Sequence, residues 1–257
     1  MKINKLSFAI FFSTISIIST TNAQEKDNKW EYKQYSGKIN DKYKINMTII
    51  FNQDPTLING YYSYNGSRNT LKLSGYREEN NSIIIDEYDN NKLTGSFKGD
   101  FVGDSFKGIW HNSNLTKEYP FYVTRNYNNK TLIKDTQTKN SLIGLNNCSL
   151  QWVSWDKDKL GTLKVQEKDK KLIVIGSQKF NGETLDIDGY FTSVDKNRLD
   201  FNGKISTRVS HINSGKPCYR EGDMTFLKYD GRNFWRLQEM QSPCDVVTDY
   251  VDISIKK

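Results

Sequence analysis

The stretch Phe97-Lys98-Gly99-Asp100-Phe101-Val102-Gly103-Asp104-Ser105-Phe106-Lys107-Gly108-Ile109-Trp110 decides the fold. On both sides of Gly103-Asp104, aromatic or glycine positions alternate with mainly polar ones, the period of a strand with one wet face. Gly-Asp supplies the turn, because these residues tolerate the positive φ that tight hairpins require. Centring the turn there sets Phe101 opposite Phe106, Gly99 opposite Gly108 and Phe97 opposite Trp110. Opposed residues of an antiparallel pair point to one side of the sheet. The hairpin therefore carries an aromatic face of Phe97, Phe101, Phe106 and Trp110, interrupted by two opposed glycines. Such glycines mark sharp bending or close backbone approach. Bending is what a closing barrel needs, and a glycine-lined ligand pocket is the alternative.

The same alternation extends outward. Before the hairpin it predicts strands over 30–39, 42–51, 57–64, 70–76, 82–88 and 92–101; from the turn onward, over 105–112 and 118–125. Asn40-Asp41, Asn65-Gly66, Asn80-Asn81 and Asn90-Asn91 punctuate them with turn chemistry. Residues 126–141 lose the alternation and read as a polar linker. Beyond them a second series is predicted over 148–155, 162–167, 171–177, 184–193, 198–206, 219–229, 233–240 and 248–255. The fold class is all-β, with two tandem antiparallel meander domains of about eight strands each, barrel-like, and a two-sheet sandwich as the alternative. The expected divisions are a leader at 1–23, an N-terminal β-meander domain at 24–125, the linker at 126–141 and a C-terminal barrel-like domain at 142–257.

The leader reading rests on Lys2 and Lys5, the apolar run Leu6–Ile18 and the small residue Ala23 closing Thr21-Asn22-Ala23. A spanning helix needs roughly 20 mostly apolar residues, and this run is shorter and carries Ser7, Ser13, Thr14 and Ser16. An exported protein in the periplasm or outside the cell is expected, with no membrane span after cleavage. The net charge of +7 is spread among acidic neighbours, as in Glu167-Lys168-Asp169-Lys170-Lys171. This is not the one-sided footprint of a nucleic-acid binder.

All three cysteines lie in the second half. Taking Asp230-Gly231 as a hairpin turn pairs Phe226 with Trp235 and Met224 with Leu237, and sets Cys218 opposite Pro243, beside Cys244. In an oxidising compartment Cys218–Cys244 is the expected disulfide, clamping the open end of that hairpin. Cys148 is left over as a buried thiol, with Cys148–Cys244 the rival pairing. The three cysteines lack metal-ligand spacing, and no metal or cofactor is expected.

The same register sets Gly222 opposite Glu239, with Arg220 two residues along on the face that carries Met224, Phe226, Trp235 and Leu237. Arg220 and Glu239 are then diagonal neighbours on an apolar face. They belong either at a barrel rim reaching solvent, or in a small-ligand pocket walled by Trp235 and Phe226. His111 and His211 have no triad partners in sequence and no nucleophile elbow accompanies them. Asp186 and Asp188 share a strand face, the minimum for two-carboxylate hydrolysis. They alternate with Leu185 and Ile187, which makes a solvated face the simpler reading.

Three segments in the first half carry a resemblance: Tyr35–Ile39, Leu57–Tyr64 and Leu93–Trp110. In the second half Phe234–Gln238, Pro243–Asp245 and Thr248–Ile253 do the same. Together they resemble uncharacterised β-rich secreted or periplasmic bacterial proteins, and the meander resembles avidin-like and lipocalin-like barrels in outline. That resemblance implies an exported barrel protein and assigns no residue a role. The functional expectation is a non-enzymatic binding protein, monomeric, for a small ligand, a glycan or a protein partner. A secreted inhibitor or envelope-interaction protein, with an envelope or extracellular protein as partner, is the second reading. A carboxylate-dependent hydrolase is the third.

Overall fold

Residues that tolerate positive φ set the reversals of the first barrel. Asn40 and Asp41 sit at φ 52° and 49°, Asn90 and Asn91 at 49° and 66°, and Gly103 at 59°, the left-handed conformations that tight hairpins demand. The computed structural model describes residues 29–256 apart from 53, 55, 66, 68, 81 and 127–129; the expected leader at 1–23 lies outside the described residues. Strands make up 63% and helix 6% of the structure, so the chain is all-β.

The first eight strands are β1 (Lys29–Ile39), β2 (Tyr43–Phe51), β3 (Leu57–Tyr64), β4 (Leu71–Arg77), β5 (Ile83–Asp89), β6 (Lys92–Val102), β7 (Ser105–Asn112) and β8 (Glu118–Arg125). Each pairs antiparallel with the next, and β8 returns to β1 with Ile39 opposite Phe121. This is a closed up-and-down barrel, not a sandwich, and closure leaves it no free edge. The β6–β7 register is the expected one, with Phe97 opposite Trp110, Gly99 opposite Gly108 and Phe101 opposite Phe106. Phe97 and Phe106 are fully buried, and Phe101 and Trp110 pack against the same core. A β-carbon on Gly99 would lie 2.1 Å from the Lys107 carbonyl oxygen, and one on Gly108 2.0 Å from that of Lys98. The glycines let the backbones of β6 and β7 press together, the close approach expected of opposed glycines.

One carboxylate lies inside this barrel. Glu87 follows Ile83 and Ile85 on the inward face of β5 and is buried. It accepts hydrogen bonds from Tyr62 Oη (2.5 Å), Thr94 Oγ1 (2.5 Å) and Trp110 Nε1 (2.9 Å). Three donors offset the cost of removing it from water.

The stretch expected as a polar linker, 126–141, holds β9 (Leu132–Ile133) and most of α1 (Thr136–Leu142). β9 runs parallel to the end of β13 (Glu183–Val194). Asp135 caps the helix, accepting from Thr138 N–H at 2.6 Å.

The second ring comprises β10 (Gly144–Leu150), β11 (Gly161–Lys168), β12 (Lys171–Phe180), β13, β14 (Arg198–Arg208), β15 (Cys218–Leu227), β16 (Phe234–Leu237) and β17 (Val251–Ser254). It closes when β17 pairs with β10, Cys148 opposite Ile253. Two expectations shift here. β10 begins four residues before the expected Cys148 and ends at Leu150, where Gln178 Oε1 accepts from the Leu150 N–H at 2.7 Å, and the chain turns so that Trp152 and Trp155 lie beyond the strand. The β15–β16 register is displaced by two: Phe226 faces Leu237 rather than Trp235. The Tyr229–Arg232 turn forms (3.1 Å) and Lys228 N–H extends the β14 ladder to the Asn197 carbonyl (2.8 Å), while residues 228–233 make a six-residue loop instead of a tight reversal. An even shift keeps every side chain on its expected face.

β15 and β16 share only the pairs at Phe226 and Leu227. The seam below them is filled by β1, whose Lys29–Tyr32 run parallel to Tyr219–Gly222 of β15. One strand thus serves both rings. Trp30 and Tyr32 pack in the second core, while Tyr35 and Ile39 pack in the first. Gly222, at φ 109°, admits this neighbour, because a β-carbon there would stand 2.2 Å from the Tyr32 carbonyl oxygen.

Candidate functional site between the two barrels

Where the barrels meet, the outward rows of β1 and β3 face the outward row of β15. Gln34 N–H donates to Asp223 Oδ2 (3.0 Å) and Asn202 Nδ2 to Asp223 Oδ1 (2.6 Å), while Arg125 Nη2 lies 3.7 Å from the same carboxylate. Burial pushes the Asp223 carboxyl above its ordinary range against those partners. Thr225 Oγ1 accepts from Gln34 Nε2 (3.1 Å) and Arg198 Nη2 (3.2 Å) and donates to Asp200 Oδ1 (3.2 Å). Arg198 Nε also reaches Asp200 at 2.7 Å. Alternation along β15 places Asp223 and Thr225 opposite in direction to the core residues Met224 and Phe226, so only the neighbouring barrel buries them.

Glu239 lies beneath this surface. It accepts from Tyr61 Oη of the first barrel and from the Thr225 N–H (3.0 Å) of the second. Burial holds its carboxyl up to about 7, outweighing both hydrogen bonds. The same burial, with Glu239 beside it, raises the Tyr61 hydroxyl well above its usual range.

Arg220 is fully buried. Its Nε donates to the Glu239 carbonyl (3.0 Å), and its Nη2 to the Gln241 carbonyl (3.0 Å) and Asp249 Oδ2 (2.7 Å). Asp249 is itself buried and accepts from Trp152 Nε1 at 3.0 Å. Neither Arg220 nor Glu239 stands at a solvent-reaching rim: the incoming β1 strand and the 238–250 segment cover them. Phe226 and Trp235 are buried members of the second core, with Lys228 Nζ 4.7 Å from the Trp235 ring.

The Cys218–Cys244 disulfide is present and Cys148 is a buried free thiol. Burial pushes that thiol up to about 12, which leaves it protonated and unreactive at neutral pH. The disulfide does not close a hairpin mouth. Residues 240–249 make a small reversal of their own, with Gln241 bridged to Thr248, and the disulfide ties its tip to the first residue of β15. Asp186 is half-buried and Asp188 exposed on the outer face, while Leu185 and Ile187 are buried. His111 lies 3.7 Å from Glu118, and the exposed His211 stands against Trp152. Among the described residues no group of His, Cys, Asp and Glu could hold a metal ion, and no helix is long and apolar enough to cross a membrane.

Above Glu239 opens a cleft of about 640 Å³. Gln34, Asn46, Thr48 and Tyr61 line it from the first barrel, and Arg198, Asp200, Asp223, Thr225 and Gln238 from the second. Tyr64 and Tyr229, one from each side and both exposed, complete the walls.

Residues 130–255 match the PM1083 family. An uncharacterized protein of that name from Pasteurella multocida (strain Pm70) is 41% identical over 118 residues, 46% of this chain and 76% of that protein. The chain belongs to the PM1083 family. The family match runs from β9 through β17, so the PM1083 region contributes one wall of the cleft and residues before it contribute the other. Among solved structures, a protein with unknown function from the DUF3598 family of Nostoc punctiforme aligns over 88% of this chain and 93% of that chain. Its identity is 11% and its TM-score 0.22, a likeness that carries no argument. No avidin or lipocalin likeness is shown; what the chain shares with them in outline is barrel architecture.

Of the residues singled out by sequence, Arg220 and Glu239 come together under the cleft. Trp235 and Phe226 belong to the core behind them. Tyr61, Asp223, Thr225 and Gln34 escaped notice because an outward position looks solvated until a second barrel covers it. Glu87 had a legible signal: it continues the inward series Ile83, Ile85 on β5.

Proposed function

We propose that this is an exported, non-enzymatic binding protein whose ligand occupies the cleft between the barrels. The observation that carries the reading is the cleft itself: about 640 Å³, within the roughly 300–1,000 Å³ usual for small-molecule sites, lined by hydrogen-bonding side chains that their neighbours already hold in place. Pre-organised polar groups keep the ordering cost of binding low. The core residues Phe226 and Trp235 back the site, and Arg220 and Glu239 brace its floor. Export through cleavage after Ala23 agrees with the disulfide, which persists in oxidising compartments.

The test is protein-observed NMR of the full secreted chain, titrated with a polar extract of bacterial envelopes. Shifts confined to Gln34, Tyr61, Thr225 and Gln238, and lost in Arg198→Ala, are the expected result. Shifts that instead track the outer strand faces would replace the cleft with a protein-docking role. An unchanged spectrum would remove the binding reading.

A further inference from the structure

Resting on that reading of the cleft, we infer that its ligand is an uncharged saccharide, recognised by planar amides and by a tyrosine ring from each barrel. The charges around the site balance. Lys134 and Arg198 are matched in number by Asp200 and Asp223, and both carboxylates are engaged by protein donors: Asp200 by Arg198, Asp223 by Gln34, Asn202 and Arg125. A phosphate or carboxylate ligand wants an excess of cationic donors, and this lining supplies none.

What the lining does supply is hydroxyl and amide. Asn46 Oδ1 accepts from Ser36 Oγ (3.0 Å), which in turn accepts from Asn126 Nδ2 (2.8 Å). Gln238 Nε2 donates to the Arg236 carbonyl (2.7 Å). These contacts fix the amide planes and leave the Asn46 NH2 group and further acceptor capacity available. A planar amide has donor and acceptor at one edge, the pattern that neighbouring hydroxyls of a sugar ring can satisfy together.

The rings give the second half of the recognition. Tyr64 is 37% exposed and Tyr229 47% exposed, large apolar faces that a sugar's C–H face can cover. Each has a polar handle, since Tyr229 Oη reaches Gln238 Oε1 (3.4 Å) and Tyr64 Oη lies 3.4 Å from Tyr62 Oη. Aromatic body with polar tip suits a ligand that is apolar on its ring face and wet at its edge.

The experiment titrates the full chain by protein-observed NMR with maltose, cellobiose and N,N′-diacetylchitobiose. N-acetylneuraminic acid and adenosine monophosphate serve as charged comparators. The expected result is saturable shifts at cleft residues with one or more neutral saccharides, weakened about tenfold or more in Tyr229→Ala and retained in Tyr229→Phe. Cleft shifts with the charged compounds alone would overturn the saccharide assignment and leave the cleft standing as a site. Neutral-saccharide binding that survives both Tyr229→Ala and Asn46→Ala would overturn the recognition scheme. No cleft shift with any of the five, while the envelope extract does produce one, would overturn the ligand class alone; silence with both would overturn class and cleft together.

Discussion

The two barrels contain the same number of strands and close in different ways. In the first, every strand pairs along most of its length with the next, and the ring seals by antiparallel pairing of β8 with β1. In the second, β15 and β16 share two residue pairs. The remaining seam is sealed by a strand from the other barrel, a buried Arg220–Asp249 pair and a disulfide. A ring of hydrogen bonds needs no other fastening, while a ring with a gap relies on charge and covalent chemistry at the gap. That difference explains why the buried Arg220–Asp249 pair and the disulfide gather beside β15, and why the candidate site lies where the barrels join.

The strongest way to break the contrast is Asp249→Ala. It leaves the fully buried Arg220 guanidinium without its carboxylate, and losing one partner of a buried pair costs about 3–5 kcal/mol. Hydrogen exchange should rise in β15 and in residues 238–250, with β4–β7 unchanged. Next comes the Cys218→Ser, Cys244→Ser double variant. Closing a loop across a sequence separation of 26 is worth about 3 kcal/mol in the chain-entropy picture. Denaturant unfolding should show that loss only under non-reducing conditions, where the parent keeps its bridge.

A pH series sharpens the comparison further. The Glu239 carboxyl titrates at about 7 in the folded chain and at its ordinary 4.5 when unfolded. A raised carboxyl favours the folded state while protonated, so its stabilising effect is full below the unfolded value and is lost as pH climbs towards 7. Between pH 5 and 8 the parent should lose about 2 kcal/mol relative to Glu239→Gln, by the free energy of a pKa displacement. Urea midpoints for both proteins at the two pH values check the sign; a parallel pair of lines would refute it. The smallest effect belongs to the self-sealed barrel. Glu87→Gln turns an amide donor towards Tyr62, Thr94 or Trp110 and should cost about 1–2 kcal/mol, raising exchange in β3–β7 while leaving the disulfide region protected.

The sequence made the first barrel legible nearly to the residue because its turns are short and its strands meet their sequential neighbours. Gly103-Asp104 alone set the β6–β7 register. In the second barrel the Asp230-Gly231 turn and the Cys218–Cys244 pair are legible in the same way, but the β15–β16 register lies two residues from the one the turn predicts. Nothing local announces that residues 228–233 open into a six-residue loop around that turn. Nor does local sequence show that β15 takes β1 as a parallel partner, a pairing that spans most of the chain. The site followed the same divide. Arg220 and Glu239 stood out as polar residues on an apolar face, whereas Tyr61, Asp223 and Thr225 occupy positions that hydrophobic alternation assigns to water.

β1 has one more consequence, in time rather than in space. Gln34 and its partner Asp223 stand 189 residues apart, and Lys29–Tyr32 pair with a strand made long after the first barrel is complete. The first barrel can close on β8 as soon as Arg125 has emerged, but the opening residues of β1 have no edge to join until β15 exists. Contacts of such long sequence separation form slowly. The head of the described chain is therefore the last piece to be seated, and its seating marks the moment at which two separate rings become one molecule.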